Sequence, residues 1–193
     1  MVVKTSTARR TKEARRLLAE DWIAAALDTL AVSGVDAVRV ESLARDLSVT
    51  KGSFYWHFAD RSALLSAMLG SWRRRATLAI IERLERTEES PRDRLRGLIR
   101  LPFASSRSAK GANLELAIRL WAKRDAAAAA AVEEVDQQRL AYLVSLLRQL
   151  GLADEGARMR AYVTYAYIIA EGLVSRPDSA GLAETCERWL IGA

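Results

Sequence analysis

Apolar residues recur along the chain at three-to-four spacing, and the places where that rhythm stops divide it into helices. Leu18, Trp22, Ile23, Ala26, Leu27 and Leu30 form one stripe of a helix predicted over about Ala14 to Val32, closed by Gly34. Val40, Leu43, Ala44 and Leu47 mark a second helix over about Val40 to Leu47. After a break at Ser48, Thr50 stands as the N-cap of a third, with Val49 and Phe54 placed as a hydrophobic staple. Asp60 caps a fourth, which continues from Arg61 to roughly Arg86. Beyond Ser90-Pro91 the rhythm predicts helices over about 92–106, 113–123, 126–150, 154–174 and 179–191. The alanine run Ala126 to Ala131 behind Asp125 reads as a helix start, because alanine is the best helix former. Nine helices, with no strand-like run and no internal repeat, predict an all-α protein.

Composition narrows this picture. Half of the 193 residues are apolar, enough for a real core, and only three prolines interrupt the chain. The single cysteine, Cys186, cannot close an internal disulfide and suits a reducing compartment. The basic N-terminus is not followed by the apolar core of a signal peptide, and the run Ala161–Ala170 is too short to span a bilayer. A soluble, cytoplasmic protein without a membrane partner is the expectation. The net charge of +6 is uneven: residues 1–16 hold six basic side chains and one acidic, while 111–193 hold nine basic and eleven acidic. A basic front and a slightly acidic rear suit a protein that meets phosphates at one end. The chain divides into a basic arm (1–16), a small helical unit (17–62) and a larger helical unit (63–193).

The segment Leu43-Ala-Arg-Asp-Leu-Ser-Val-Thr-Lys-Gly-Ser-Phe-Tyr-Trp-His-Phe58 reads as a short helix, a tight break and a second short helix. That is the layout of a helix-turn-helix, whose second helix enters the major groove of DNA. Thr50, Lys51 and Ser53 lie at the start of the second helix, where base edges are met; Lys51 can take guanine acceptors or a phosphate, and Thr50 can cap, read, or do both. Gly52 costs a helix about 1 kcal/mol relative to alanine, and its missing side chain would let the backbone approach a groove closely.

With its Tyr55-Trp56-His57-Phe58 tail, this stretch resembles the tetracycline-repressor (TetR) family of bacterial transcriptional regulators over roughly residues 20–70. The resemblance implies that Tyr55 and His57 bond phosphate oxygens, that Trp56 faces the DNA, and that Arg61 lies near the phosphate contacts. Arg39 stands where the family usually has a capping threonine, so the cap is lost while a guanidinium can still reach phosphate. The resemblance also implies a small-molecule effector pocket among helices 4 to 7, for which Trp72, Phe103, Trp121, Tyr142 and Tyr165 are candidate lining residues. It implies a homodimer through the last two helices, with Ala161, Tyr165, Ile168, Ile169, Gly172, Leu182 and Trp189 as candidate interface. The function implied is a repressor released from double-stranded operator DNA by an effector.

One histidine and one cysteine, far apart in sequence, leave little material for catalysis, and no glycine-rich phosphate loop is present. No catalytic residue, metal site or cofactor is expected. The alternative reading is a helical small-molecule or lipid-binding module without a DNA-binding role. Such a module has no use for Tyr55-Trp56-His57 exposed beside Lys51.

Overall fold

The computed structural model describes residues 17–87, 89–101, 106–171 and 180–191, and the side chains among these except at 106–110, 112 and 180–183. The arm 1–16, Phe103, Gly172 and the side chain of Leu182 therefore lie outside the described residues. Everything described is helix or connection, as the apolar rhythm predicts. The helices are α1 (Ala19–Ser33), α2 (Val40–Asp46), α3 (Lys51–Tyr55), α4 (Arg61–Arg73), α5 (Ala79–Glu85), α6 (Pro91–Arg100), α7 (Ser106–Ala122), α8 (Ala126–Gln149), α9 (Asp154–Glu171) and α10 (Ala180–Ile191). A π turn over Arg74–Leu78 joins α4 to α5 in one rod, so the described elements make nine rods.

Local chemistry sets most of the ends. Asp60 accepts from the Ala63 amide at 2.8 Å and Asp125 from the Ala128 amide at 2.9 Å, so both expected caps are present. Gly34 follows α1 at φ 78°. Two helices end in Schellman motifs. At α8, Gly151 (φ 89°) donates to Arg148 O and Leu152 to Leu147 O. At α2, Ser48 donates to Arg45 O and Val49 to Ala44 O, with Ser48 itself at φ 57°. A serine thus holds the left-handed position that glycine usually fills, and the sharp turn into α3 follows from it.

The helix expected over about 113–123 starts earlier, at Ser106, and two expectations in the small unit also differ. Helix 1 starts at Ala19 rather than near Ala14: Leu18 is extended, and its amide donates to Asp21 Oδ2 at 2.8 Å. Thr50 occupies the N-cap of α3, but its hydroxyl makes no capping hydrogen bond.

The first apolar core gathers Trp22, Leu30, Leu43, Phe54 and Phe58 of the small unit with Leu64, Met68, Trp72, Ile118, Trp121 and Val135. The Phe54 ring meets Trp22 edge-on at 5.3 Å and lies tilted against Phe58 at 5.4 Å. The boundary expected at 62/63 falls inside α4, and this core runs through it. A second core joins Leu84, Leu95 and Ile99 to Leu143, Leu146 and Leu147 of α8, Ala157, Ala161 and Tyr165 of α9, and Leu190 of α10. Between the two cores the interior is polar. No described helix is long and apolar enough to cross a membrane.

Candidate DNA-binding face and a buried ionic centre

Helix α3 is only five residues long, so its orientation comes from its neighbours rather than from its own propensity. Phe54 is fully buried and anchors one side. The other side presents Thr50, Lys51, Gly52, Tyr55 and Trp56 to solvent, with the two rings 60% and 75% exposed. Large aromatics exposed side by side around a lysine mark an interaction surface rather than a solvated face. Ser53 and His57 are half-buried, and with Thr50, Gly52, Trp56 and Leu17 they line a surface groove of about 440 Å³.

The pairings on this face were not readable from residue order. Lys51 Nζ lies 2.6 Å from Glu41 Oε1 on α2, and both side chains remain more than half exposed. Their hydrogen bond raises the lysine's pKa and lowers the glutamate's. His57 Nε2 is 3.1 Å from Leu17 O, which ties the chain entering α1 to the end of the helix-turn-helix. Arg39, at the N-cap of α2, makes no side-chain cap and donates from Nε to Asp36 O at 3.2 Å. Arg61 donates from Nε to Val38 O at 2.6 Å and from Nη2 to Val35 O at 2.7 Å. An arginine at a helix N-terminus opposes the dipole; here it fastens α4 to the turn before α2.

Gly52 has no internal reason to be glycine. A Cβ there would meet only Thr50 Oγ1, at 3.6 Å, an ordinary contact.

Of the aromatics expected around an effector, the four that are described do not share one lining. Trp72 and Trp121 are buried in the first core, while Tyr142 and Tyr165 belong to the second. The Tyr142 hydroxyl donates to Glu85 Oε1 at 2.7 Å, and burial pushes its pKa up to about 12. What occupies the space between α7, α8 and α9 is a cluster of charges. Arg139 donates to Glu115 Oε1 and Oε2 at 3.1 Å each, to Tyr165 Oη at 3.1 Å, to Thr77 Oγ1 at 3.2 Å and to Ala76 O at 3.2 Å. Those bonds use every N–H of the guanidinium. Arg119 bonds Glu115 Oε1 at 2.9 Å and Asp136 at 2.5 and 3.0 Å, and Tyr165 donates to Asp136 Oδ1 at 2.6 Å.

Burial alone would raise the Asp136 carboxyl, but the bonds from Arg119 and Tyr165 outweigh it and hold its pKa below 3.8. Burial pushes the Tyr165 phenol up to about 12. Ala76 and Thr77 lie in the π turn, so the cluster grips the one irregular stretch of the α4–α5 rod.

On the C-terminal helices, Ala161 and Tyr165 are turned inward and buried within the chain. They pack against this protein's own core, not toward a partner, because the small side chains of α9 admit α8 closely. Ile168 and Ile169 are half-buried. Among the described residues of these helices, the large exposed apolar side chains are Met159 and Tyr162 on α9 and Trp189 on α10. Sequence reasoning missed the first two, although Met159, Tyr162, Ala166 and Ile169 repeat at helical spacing as a second stripe. Among the described residues no group of three or more histidine, cysteine, aspartate or glutamate side chains could hold a metal ion.

Residues 23–68 match the family model described as bacterial regulatory proteins, tetR family. An uncharacterized HTH-type transcriptional regulator of Pseudomonas putida, TtgW, is 37% identical over 65 residues, which cover 34% of this chain and 46% of that protein. The chain thus aligns with less than half the length of this curated relative. The whole architecture superposes on a transcriptional regulator from Rhodococcus sp. Rha1 with a TM-score of 0.68 and 20% identity, covering 91% of this chain and 92% of that one. A transcriptional regulator from Bacillus subtilis, FadR, in complex with stearoyl-CoA, gives a TM-score of 0.66 at 17% identity over 90% of this chain and 97% of its own. The all-helical fold, with its N-terminal helix-turn-helix, is one that these regulators share. Over residues 23–68, which carry the helix-turn-helix, the chain is similar to the tetR family of bacterial regulatory proteins.

Proposed function

We propose that this protein is a cytoplasmic, homodimeric repressor that binds double-stranded operator DNA through α3 and leaves it when a small molecule occupies the helical half. The observation that carries the reading is the outward face of α3: Lys51, Gly52, Tyr55 and Trp56 stand exposed on a helix held rigid by Phe54. Lys51, Thr50 and Ser53 read base edges, and Tyr55, Trp56, His57 and Arg39 position the unit on the backbone. Arg61 acts through the fold, holding α4 to this unit. Two copies joined through the Tyr162, Met159 and Trp189 surface would present two such faces, doubling the site read. Support for an effector comes from the rod Arg61–Glu85, about 37 Å long at 1.5 Å per residue, which links the DNA-facing unit to the ionic centre. Further support is the FadR regulator, similar in fold, whose structure is a complex with stearoyl-CoA.

The test is selection of binding sites from random-sequence DNA, followed by affinity measurement on the selected site. Lys51→Ala and Tyr55→Ala are each expected to weaken binding at least tenfold, as the loss of a base or backbone contact does, with unchanged thermal melting. Two chains should bind per selected duplex. No enrichment at low salt would sink the reading in favour of a small-molecule or lipid-binding module.

A further inference from the structure

Glu41 is an anomaly on the outward face. A carboxylate turned toward DNA is repelled by phosphate, so it weakens binding to every sequence unless it meets a hydrogen-bond donor there. Major-groove edges offer donors only at the amino groups of cytosine N4 and adenine N6. Glu41 is also tied to the residue placed to read bases, Lys51, at 2.6 Å across α2 and α3. The pair is more than half exposed, so it reaches outward together rather than being sealed beneath the surface.

A G·C pair displays the complementary pattern. Guanine offers the N7 and O6 acceptors and cytosine the N4 donor, and O6 and N4 bond each other at about 2.9 Å. An ammonium and a carboxylate in contact therefore match the two sides of one G·C pair. The lysine donates to O6 and N7 while the glutamate accepts the outer N4 hydrogen, and the ion pair need not be broken to bind. An A·T pair also sets a donor beside acceptors, but it offers no adjacent N7 and O6 for one ammonium to share. Resting on the DNA-binding reading above, we propose that Glu41 is a specificity-determining residue: with Lys51 it reads a single G·C pair in each half-site, guanine under Lys51 and cytosine under Glu41.

The experiment is site selection from random-sequence DNA with the full-length wild-type chain, Glu41→Ala, and the charge-swapped double variant Glu41→Lys/Lys51→Glu. Thermal melting of each variant serves as the folding control. The wild-type chain should select one invariant G·C pair per half-site. Glu41→Ala should bind bulk DNA more tightly, while discrimination at that one pair falls by about tenfold or more. The swapped variant should select the inverted pair, C·G, at the same position. An unchanged selected sequence in Glu41→Ala, with affinity raised equally for all DNA, overturns the assignment and leaves Glu41 as an electrostatic brake. An invariant A·T pair at that position in the wild-type site overturns it too. Failure of the wild-type chain to enrich any sequence instead removes the DNA-binding reading, and this assignment with it.

Discussion

The two halves of the molecule solve the problem of an interior in opposite ways. Around Phe54 the small unit buries only apolar and aromatic side chains and turns its charges outward: Lys51, Glu41, Arg39 and Arg45 are all exposed. Around Arg139 the larger unit places two arginines, two carboxylates and a tyrosine hydroxyl where a core should be. An apolar core stabilises in proportion to the area it buries and tolerates one missing contact at graded cost. A buried ionic cluster carries a desolvation penalty that only complete pairing offsets, so its stability depends on every member. The first arrangement suits the rigid DNA-reading head proposed above. The second suits a centre whose state can be altered by whatever competes for its bonds.

The sharpest way to break this contrast is to truncate each centre. Phe54→Ala should cost about 4 kcal/mol, the usual loss for a buried phenylalanine. Arg139→Ala should cost about 3 kcal/mol, because Glu115 loses two bonds and Tyr165 one. Denaturant melts measure both. Replacing Glu115, Arg119, Asp136 and Arg139 together by apolar residues of like size should recover most of the second loss, as it removes penalty and pairing at once. No apolar replacement set can restore the first better than phenylalanine itself. If the four-fold replacement unfolds the protein, the ionic centre is a true structural core and the contrast fails.

Acid sharpens the same point. Asp136 has its pKa lowered in the folded chain, so its contribution is whole above the ordinary value of 3.8 and is lost as pH falls through the lower folded value. Stability below pH 4 should therefore decline less in Asp136→Asn than in the wild-type chain, measured by melting temperature across about pH 2–6.

Between the halves stands Arg61. Arg61→Ala should cost about 1–2 kcal/mol for two charge-assisted bonds at a partly exposed site. It should also weaken DNA binding without changing the sequence selected, since the arginine positions rather than reads. A change of selected sequence would place it on the DNA instead.

The smallest effect separates folding from function. Gly52→Ala should stabilise the fold by about 0.5–1 kcal/mol, because the added methyl meets only Thr50 Oγ1 at 3.6 Å. The same methyl should weaken binding to the selected site. A variant both more stable and equally tight would show that the glycine is incidental.

The contrast also explains what could be read in advance. The stripe through Leu18, Trp22, Ala26 and Leu30, the caps at Asp60 and Asp125 and the breaks at Gly34 and Gly151 are local signals, and each fell where its periodicity put it, apart from the late start at Ala19. The outward set on α3 was legible for the same reason, since helical spacing sorts inner Phe54 from outer Lys51 and Tyr55. The ionic centre was not. Only Glu115 and Arg119 are four residues apart; Arg139, Asp136 and Tyr165 come from two other helices, and nothing local distinguishes them from solvated charges. Tyr165 and Ala161 misled because helical spacing shows that a face is apolar but not which neighbour covers it.

A π turn amounts to an α-helix with one residue too many, accommodated locally. The stretch Arg74–Leu78 therefore holds a spare link, and Arg139 occupies the carbonyl at Ala76 within it. A chain shortened by one residue within this stretch could still join α4 to α5 as a plain helix, but the anchor for Arg139 would be gone. Length at this point is a heritable variable: an insertion or deletion of a single codon, rather than any substitution, would set how firmly the rod that starts at the helix-turn-helix unit is tied to the ionic centre.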